Sequence, residues 1–364
     1  MADSTDHSEQ SREQAEHILS NFRQYSNYLD RAEALYERGA LASAAVQCAV
    51  AAHLAVQNHC GVFWSPRAEK LLTEIARRTE TPGPKHPRPR EFKRILNVVT
   101  KVEAVGGHTK MLCLWVDADA GREHTLVMTG HSGPTPDRVT QAFERSGGGV
   151  RYLNRSAGDL LDRARRLRRM AQDFDLVVLH TYCEDVVPLL AFGDTGSGKY
   201  PNVLLLNHAD HLFWFGPGVT HLNINLRDAA QDLSIARRGI APERNILMPT
   251  ISESVTRTRS REEAKRELGI SPDTVLMVSV ARRLKYKTLN GVTYADIHAP
   301  ILERHPDVSM IVVGAGDQPE WEPVRAKVGN RLRTTPQIPD PGIYFEAADI
   351  YLDSFPFVSS TSMM

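Results

Sequence analysis

The sequence predicts an α/β chain: two doubly wound halves, the second incomplete, preceded by an all-helical N-terminal segment. Short apolar runs alternate with amphipathic helices from about residue 92 onward, and that alternation restarts near residue 256. Over residues 17–80 the periodicity is helical.

Residues 1–16 are polar and are expected to form a disordered tail. Residues 17–80 read as helical. Leu29, Ala32, Leu35 and Tyr36 recur at three-to-four spacing until Gly39 breaks the run. LASAAVQCAVAAHLAVQ makes a second, Ala-rich helix, and PRAEKLLTEIARR, with Pro66 in its first turn, a third. Two helices broken at a glycine resemble one tetratricopeptide unit, yet no copy follows at the period of about 34 residues such arrays need. The segment is therefore read as a small helical cap or dimerisation element, the place for a homo-oligomer contact or a protein partner. TPGPKHPRPR carries four prolines in ten residues, so 81–91 is expected to be a stiff, extended linker.

In 92–255 the expected strands are RILNVVT, HTLVMTG, VRYLN, DLVVLHT, NVLLLNH, HLNINL and NILMPT. Helices are expected over HTKMLCLWV, PDRVTQAFERS, GDLLDRARRLRRMAQ, DVVPLLAF and AAQDLSIARRG. Continuous β-branched and leucine runs suit parallel strands covered on both faces. In 256–364, helix SREEAKRELG closes at Gly269. Strands TVLMVSV, VSMIVVGAG, RLRTTPQI and IYLDS then alternate with helices YADIHAPILERH, EWEPVRAKVG and PGIYFEAAD. The cleft between the halves is the expected site.

Composition narrows the function. Lys+Arg and Asp+Glu are equal at 44 each, without the basic excess typical of nucleic-acid binding. The arginines of RARRLRRM flank an apolar stripe of Leu160, Leu161, Ala164, Leu167 and Ala171, so they read as a solvated helix face. The four cysteines form no C-x-x-C pair, the N-terminus is no signal peptide, and no window is apolar enough to span a membrane. A soluble cytoplasmic protein is expected.

Candidate chemistry sits where strands end. Gly106 and Gly107, before His108, would let a ligand approach the backbone at a helix start. Two neighbouring strands end in His180 and His208, the latter followed by Asp210 and His211. A histidine there can donate to a phosphate, orient an acceptor hydroxyl or act as general base, with Asp210 fixing a tautomer. A metal site from His180, His208, Asp210 and His211 is the lesser reading, because side chains on an irregular loop need not converge. Phe213, Trp214 and Phe215 read as core aromatics before pocket walls, and the D-A-D of 117–119 as helix-surface charge. In the second half, Arg282 and Lys287 flank a loop after TVLMVSV and could grip a diphosphate, with Arg283 and Lys285 as alternates. Gly314, Gly316 and the helix start at Ser360, Thr361 and Ser362 would converge on the same group.

Together these motifs resemble the GT-B fold nucleotide-sugar glycosyltransferases, the O-GlcNAc-transferase-like and related bacterial enzymes, built of two Rossmann-like domains. VSVARRLKYK matches a donor-diphosphate loop, VSMIVVGAGD a strand ending in V-G-x-G, and YLDSFPFVSSTS the L-D-x-F-P segment whose Ser/Thr helix start holds phosphate. VGGHTK resembles the Gly-rich first loop, and LLLNHAD the strand ending in an active-site His. The resemblance covers about 270 residues and leaves out the helical segment.

It implies that Arg282 and Lys287 bind the donor diphosphate, helped by Gly314, Gly316, Ser360, Thr361 and Ser362, while His208 or His211, with Asp210, faces the reacting sugar. It implies sugar transfer from a nucleotide-sugar donor to a hydroxyl acceptor in the interdomain cleft. No metal or other cofactor is expected, because cations and a helix dipole stabilise the leaving group. Position 281 is Ala where Gly is common, and the sequence stops at Met364, before the family's ribose-binding acidic residue. A C-terminally truncated donor domain with impaired activity is the expectation. The alternatives are a scaffold protein using the helical segment beside an inert remnant, and a nucleotide-sugar epimerase of the same shape.

Overall fold

The computed structural model describes residues 3–80, 85–87, 89–104, 106–193, 198–251 and 256–358. The chain divides into two compact units after Ile251, where the sequence suggested 255/256.

The first unit opens with three helices, α1 (Asp3–Glu37), α2 (Leu41–Gln57) and α3 (Pro66–Arg78). Residues 3–16, expected to be disordered, lie in α1. The stretch SREQAEH is made largely of good helix formers and propagates a helix nucleated by the packed turns that follow. Gly39, at φ 80°, takes the left-handed conformation that ends α1. On α2 the buried positions are Ala44, Ala45, Cys48, Ala51, Ala52 and Ala55, small side chains that let α1 and α2 approach closely. Ser65 caps α3 by accepting the Ala68 amide at 3.2 Å, and Pro66 follows in the first turn.

The sheet of this unit has seven strands: β1 (Arg94–Val99), β2 (Glu123–Met128), β3 (Val150–Tyr152), β4 (Leu176–His180), β5 (Asn202–Asn207), β6 (Leu222–Asn225) and β7 (Asn245–Leu247). All pair in parallel in the order β3-β2-β1-β4-β5-β6-β7. The connecting helices are α4 (Gly107–Ala118), α5 (Asp137–Arg145), α6 (Leu160–Ala171), α7 (Val187–Phe192) and α8 (Asp228–Arg238). Strand order reverses between β1 and β4, where Val99 stands beside His180, and such switch points open a crevice at the carboxyl edge. The helical segment shares its core with this sheet. Leu29, Leu72 and Ile75 belong to the same buried cluster as Leu190, Phe192 and Phe213.

In the second unit, α9 (Arg261–Glu267) begins with a reciprocal cap between Ser260 and Glu263. Strands β8 (Val275–Val280), β9 (Val308–Val313), β10 (Leu332–Thr335) and β11 (Ile350–Tyr351) form a parallel sheet ordered β10-β9-β8-β11, joined through α10 (Tyr294–Arg304), α11 (Glu322–Val328) and α12 (Gly342–Ala347). Met277, Met310 and Val312 pack against Tyr294 and Trp321; Leu276, Val278 and Ile311 pack with Ala264 and Ala347. Successive residues of each strand thus feed opposite cores. Among the described residues no helix is long and apolar enough to cross a membrane.

Candidate functional site

At the carboxyl edge of the first sheet, the ends of β1, β4 and β5 bring three histidines together. Gly106 precedes α4 at φ 151° and ψ 146°, a conformation nearly reserved for glycine. It turns His108 so that Nε2 donates to the His180 carbonyl at 2.7 Å. The His108 and His208 rings lie 4.3 Å apart between centroids. Burial, and then the neighbouring imidazole of His180, lower the His108 pKa to about 4. Burial, and then His108, lower that of His208 to about 3. Both rings are therefore neutral near pH 7. His108, donating through Nε2, keeps its Nδ1 as an acceptor. A pair of neutral imidazoles is suited to orient a hydroxyl through hydrogen bonds, and at these pKa values either ring is a weak base.

The side chain of His180 does something else. Nε2 of His124 lies 3.2 Å from the Asp119 carboxylate, so it carries the proton. Nδ1 of His124 then accepts from Asn97 Nδ2 at 3.2 Å, which leaves Asn97 Oδ1 to accept from His180 Nε2 at 3.1 Å. Fully buried, with its edge against Trp115, His180 is locked beneath α4. Only its carbonyl meets His108.

Asp210 is buried and receives a two-pronged ion pair from Arg227, at 2.6 and 2.8 Å, with His211 Nδ1 at 3.3 Å. Burial alone would raise its carboxyl. Hydrogen bonds from His211 and Arg227 outweigh that and hold it below the ordinary carboxylate range. His211 itself is exposed. The four residues of the lesser metal reading do not converge, because Asn97 holds His180 and Arg227 holds Asp210. The D-A-D acids are likewise engaged, Asp117 with Arg145 and Asp119 with Arg122 and His124. Phe213, Trp214 and Phe215 are core residues, with Arg238 stacked over Trp214. A small pocket lined by Thr181, Tyr182, Cys183, His208, Trp214 and Phe215 opens beside the histidines.

Asp185 was missed in the sequence. Its carboxylate accepts from Thr100 Oγ1 at 2.7 Å, from Thr129 Oγ1 and from the Val187 amide at 2.9 Å. Thr100 also accepts the Tyr182 amide at 2.8 Å. The loops after β1, β2 and β4 are thus sewn together around one buried carboxylate, whose pKa burial raises. An acid six residues after a buried strand's last apolar position, Leu179, was the available signal.

The second unit's carboxyl edge is built differently. Arg282 and Lys287 flank a single 3-10 turn after β8. Both are exposed, and among the described residues neither has an ion-pair partner. The Lys287 ammonium stands 6.0 Å from the Phe357 ring centre. Lys285 is spent on structure: its ammonium donates to the Val358 carbonyl, and burial lowers its pKa, with Asp353 opposing and Arg282 reinforcing. Tyr294 donates to the Asp353 carbonyl at 2.7 Å, so residues 353–358 are fastened beside the basic loop. Gly314 sits at φ 85°, and a Cβ there would stand 2.3 Å from the Ala281 carbonyl oxygen. The Gly314 and Gly316 amides both donate to Thr335 O, at 3.1 and 2.8 Å. Gly314 thus serves close packing of the loop and Gly316 its left-handed turn, and both amides are already engaged. Ser360, Thr361 and Ser362 lie outside the described residues.

No protein-family model and no curated protein matches the chain. Among solved structures it is similar to a glycosyltransferase from Rickettsia africae, at 11% identity and a TM-score of 0.53, covering 71% of this chain and 72% of that one. It also matches an O-GlcNAc transferase of Thermobaculum terrenum, at 13% identity and a TM-score of 0.47, over 92% of this chain and 66% of that one. A UDP-GlcNAc 2-epimerase from Neisseria meningitidis matches at 11% identity and a TM-score of 0.44, over 71% of this chain and 76% of that one. The two doubly wound units and the likeness to the rickettsial structure establish the GT-B fold.

Proposed function

We propose that this chain moves a sugar from a nucleotide-sugar donor to a hydroxyl acceptor. The observation that carries the reading is the exposed cation pair Arg282 and Lys287, without an ion-pair partner among the described residues, at the carboxyl end of β8, beside a glycine whose position leaves no room for a side chain. A parallel strand's carboxyl end is where phosphate-bearing ligands sit in open α/β sheets. A guanidinium fork and a point-charge ammonium there neutralise the departing nucleoside diphosphate, with Ser360, Thr361 and Ser362 adding hydroxyl and amide donors. This electrostatic mechanism does its work without a metal ion. His208 and His108, neutral and mutually packed, orient the acceptor hydroxyl, and His211, held through Asp210, lines its approach.

Calorimetric titration of the 364-residue chain with UDP, GDP and ADP tests the donor half. One nucleotide is expected to saturate a single site, and Arg282→Ala or Lys287→Ala to weaken it by about tenfold or more. Failure of all three to bind, or undiminished binding in the double variant, removes the reading. Interconversion of a free nucleotide sugar with no acceptor present would identify an epimerase instead.

A further inference from the structure

The loop that follows β5, residues 208–218, carries His208, Asp210 and His211. It lies on the helical segment, whose contacts to it span the chain. Tyr25 of α1 meets the Phe213 ring edge-on at 6.0 Å. The Trp214 amide donates to the Phe63 carbonyl at 3.2 Å. Glu69, in the first turn of α3 and 3% exposed, takes the Gly216 amide on Oε1 at 2.5 Å and the Gly218 amide on Oε2 at 2.7 Å. The loop is shaped to receive that carboxylate. Gly216 has φ 142°, and a Cβ on Gly218 would stand 2.5 Å from Glu69 Oε2. From the other side, Arg238 donates to the carbonyls of Asp210 and Leu212 at 2.7 and 2.6 Å, and Arg244 to those of Pro217 and Thr220 at 2.7 and 2.6 Å.

We propose that Glu69 is a positioning residue: by accepting both glycine amides it sets the path of the loop that presents His208, Asp210 and His211. The helical segment then belongs to the acceptor-side machinery. The consequence for rate rests on the proposed transfer reaction; the consequence for loop order does not.

The test is hydrogen exchange of the full chain, read by mass spectrometry, alongside nucleotide binding and turnover. In Glu69→Gln the carboxamide offers one acceptor, so one glycine amide must face an N–H. Exchange across 208–218 is expected to quicken by about tenfold while α1–α3 keep their protection. Nucleotide binding and the donor KM are expected to stay unchanged, and kcat to fall by about tenfold. Glu69→Asp, with two acceptors on a shorter arm, is expected to recover part of both effects. Wild-type exchange in Glu69→Gln, loosening that spreads equally through α1–α3, or a loosened loop with unchanged kcat would overturn the assignment. Should Glu69→Gln not fold, Gly218→Ala presses on the same oxygen, and unchanged loop exchange there overturns it equally. If the wild type transfers no sugar, the reaction fails while the exchange result still decides the role of Glu69.

Discussion

At the carboxyl edge of the first sheet, charge has been either discarded or paired. His108, His180 and His208 are held neutral by burial, and the carboxylates of Asp185, Asp210 and Glu69 are each enclosed by donors. At the carboxyl edge of the second, charge has been left in the open, on Arg282 and Lys287. The contrast follows from what desolvation costs. A buried imidazole can discard its proton, and a buried carboxylate can be matched by amides and hydroxyls, whereas a guanidinium intended for a ligand must stay in water until the ligand arrives. One edge is built to hold shape, the other to attract an anion.

The sharpest way to break this comparison is at Gly314. Gly314→Val combines a left-handed backbone with a Cβ 2.3 Å from a carbonyl oxygen. It is expected to destabilise the second unit by about 3 kcal/mol or more. Gly316→Ala, at φ 67° with open space around it, should cost about 1 kcal/mol. Urea unfolding followed through Trp321, the second unit's only tryptophan, gives both values.

Acid separates the units next. Folded His108, His180 and His208 titrate near 4, 3 and 3, against 6.5 for an ordinary histidine. The unfolded chain binds those protons first, so the first unit should lose stability as pH falls from about 6.5 towards 4, by several kcal/mol. Glu69, raised to about 7 by burial against the Gly216 hydrogen bond, acts oppositely and adds stability as pH falls from about 7 to 4.5; Asp185, raised by burial, acts in the same direction. The histidines outnumber them. In the second unit, the Thr258 amide, then Arg259, hold Glu346 down at about 2, so its contribution is lost only between about 4.5 and 2. Unfolding midpoints of a Trp321→Phe protein, measured from pH 7 to 4, should fall steadily; a His208→Asn background should flatten the slope.

A smaller effect sharpens the other side. Arg282→Ala and Lys287→Ala should leave unfolding midpoints unchanged within about 0.5 kcal/mol, since neither cation supports the fold. Raising salt from about 0.05 M to about 0.5 M should weaken nucleotide binding by a few-fold, as expected for exposed charges, without loosening the first unit.

The elements were legible because each is a local pattern. DLVVLHT and NVLLLNH read as strands ending in histidine; β4 does end at His180, and β5 stops at Asn207, one residue before His208. SREQAEH misled because polar helix formers look disordered until a neighbouring packed turn nucleates them. The candidate site was legible in part. His208 and the glycine before α4 could be picked out, and the structure brings His108 and His208 together. His180, the lesser candidate at a similar strand end, is held inward by Asn97. Asp210 read as the group that fixes a histidine tautomer; it stands 3.3 Å from His211 Nδ1, and Arg227, which the sequence did not point to, holds both its oxygens as well.

The sequence by itself determined which residues make strands and helices, where strands stop, and which cations follow β8, because those properties depend on neighbours a few positions away. Tertiary structure alone decided which polar groups are spent and which remain. The Glu69 carboxylate meets amides 147 and 149 positions further along the chain. Hydrogen bonds of that kind are fixed by the packing of α3 against the loop after β5, and no periodicity in the chain encodes them.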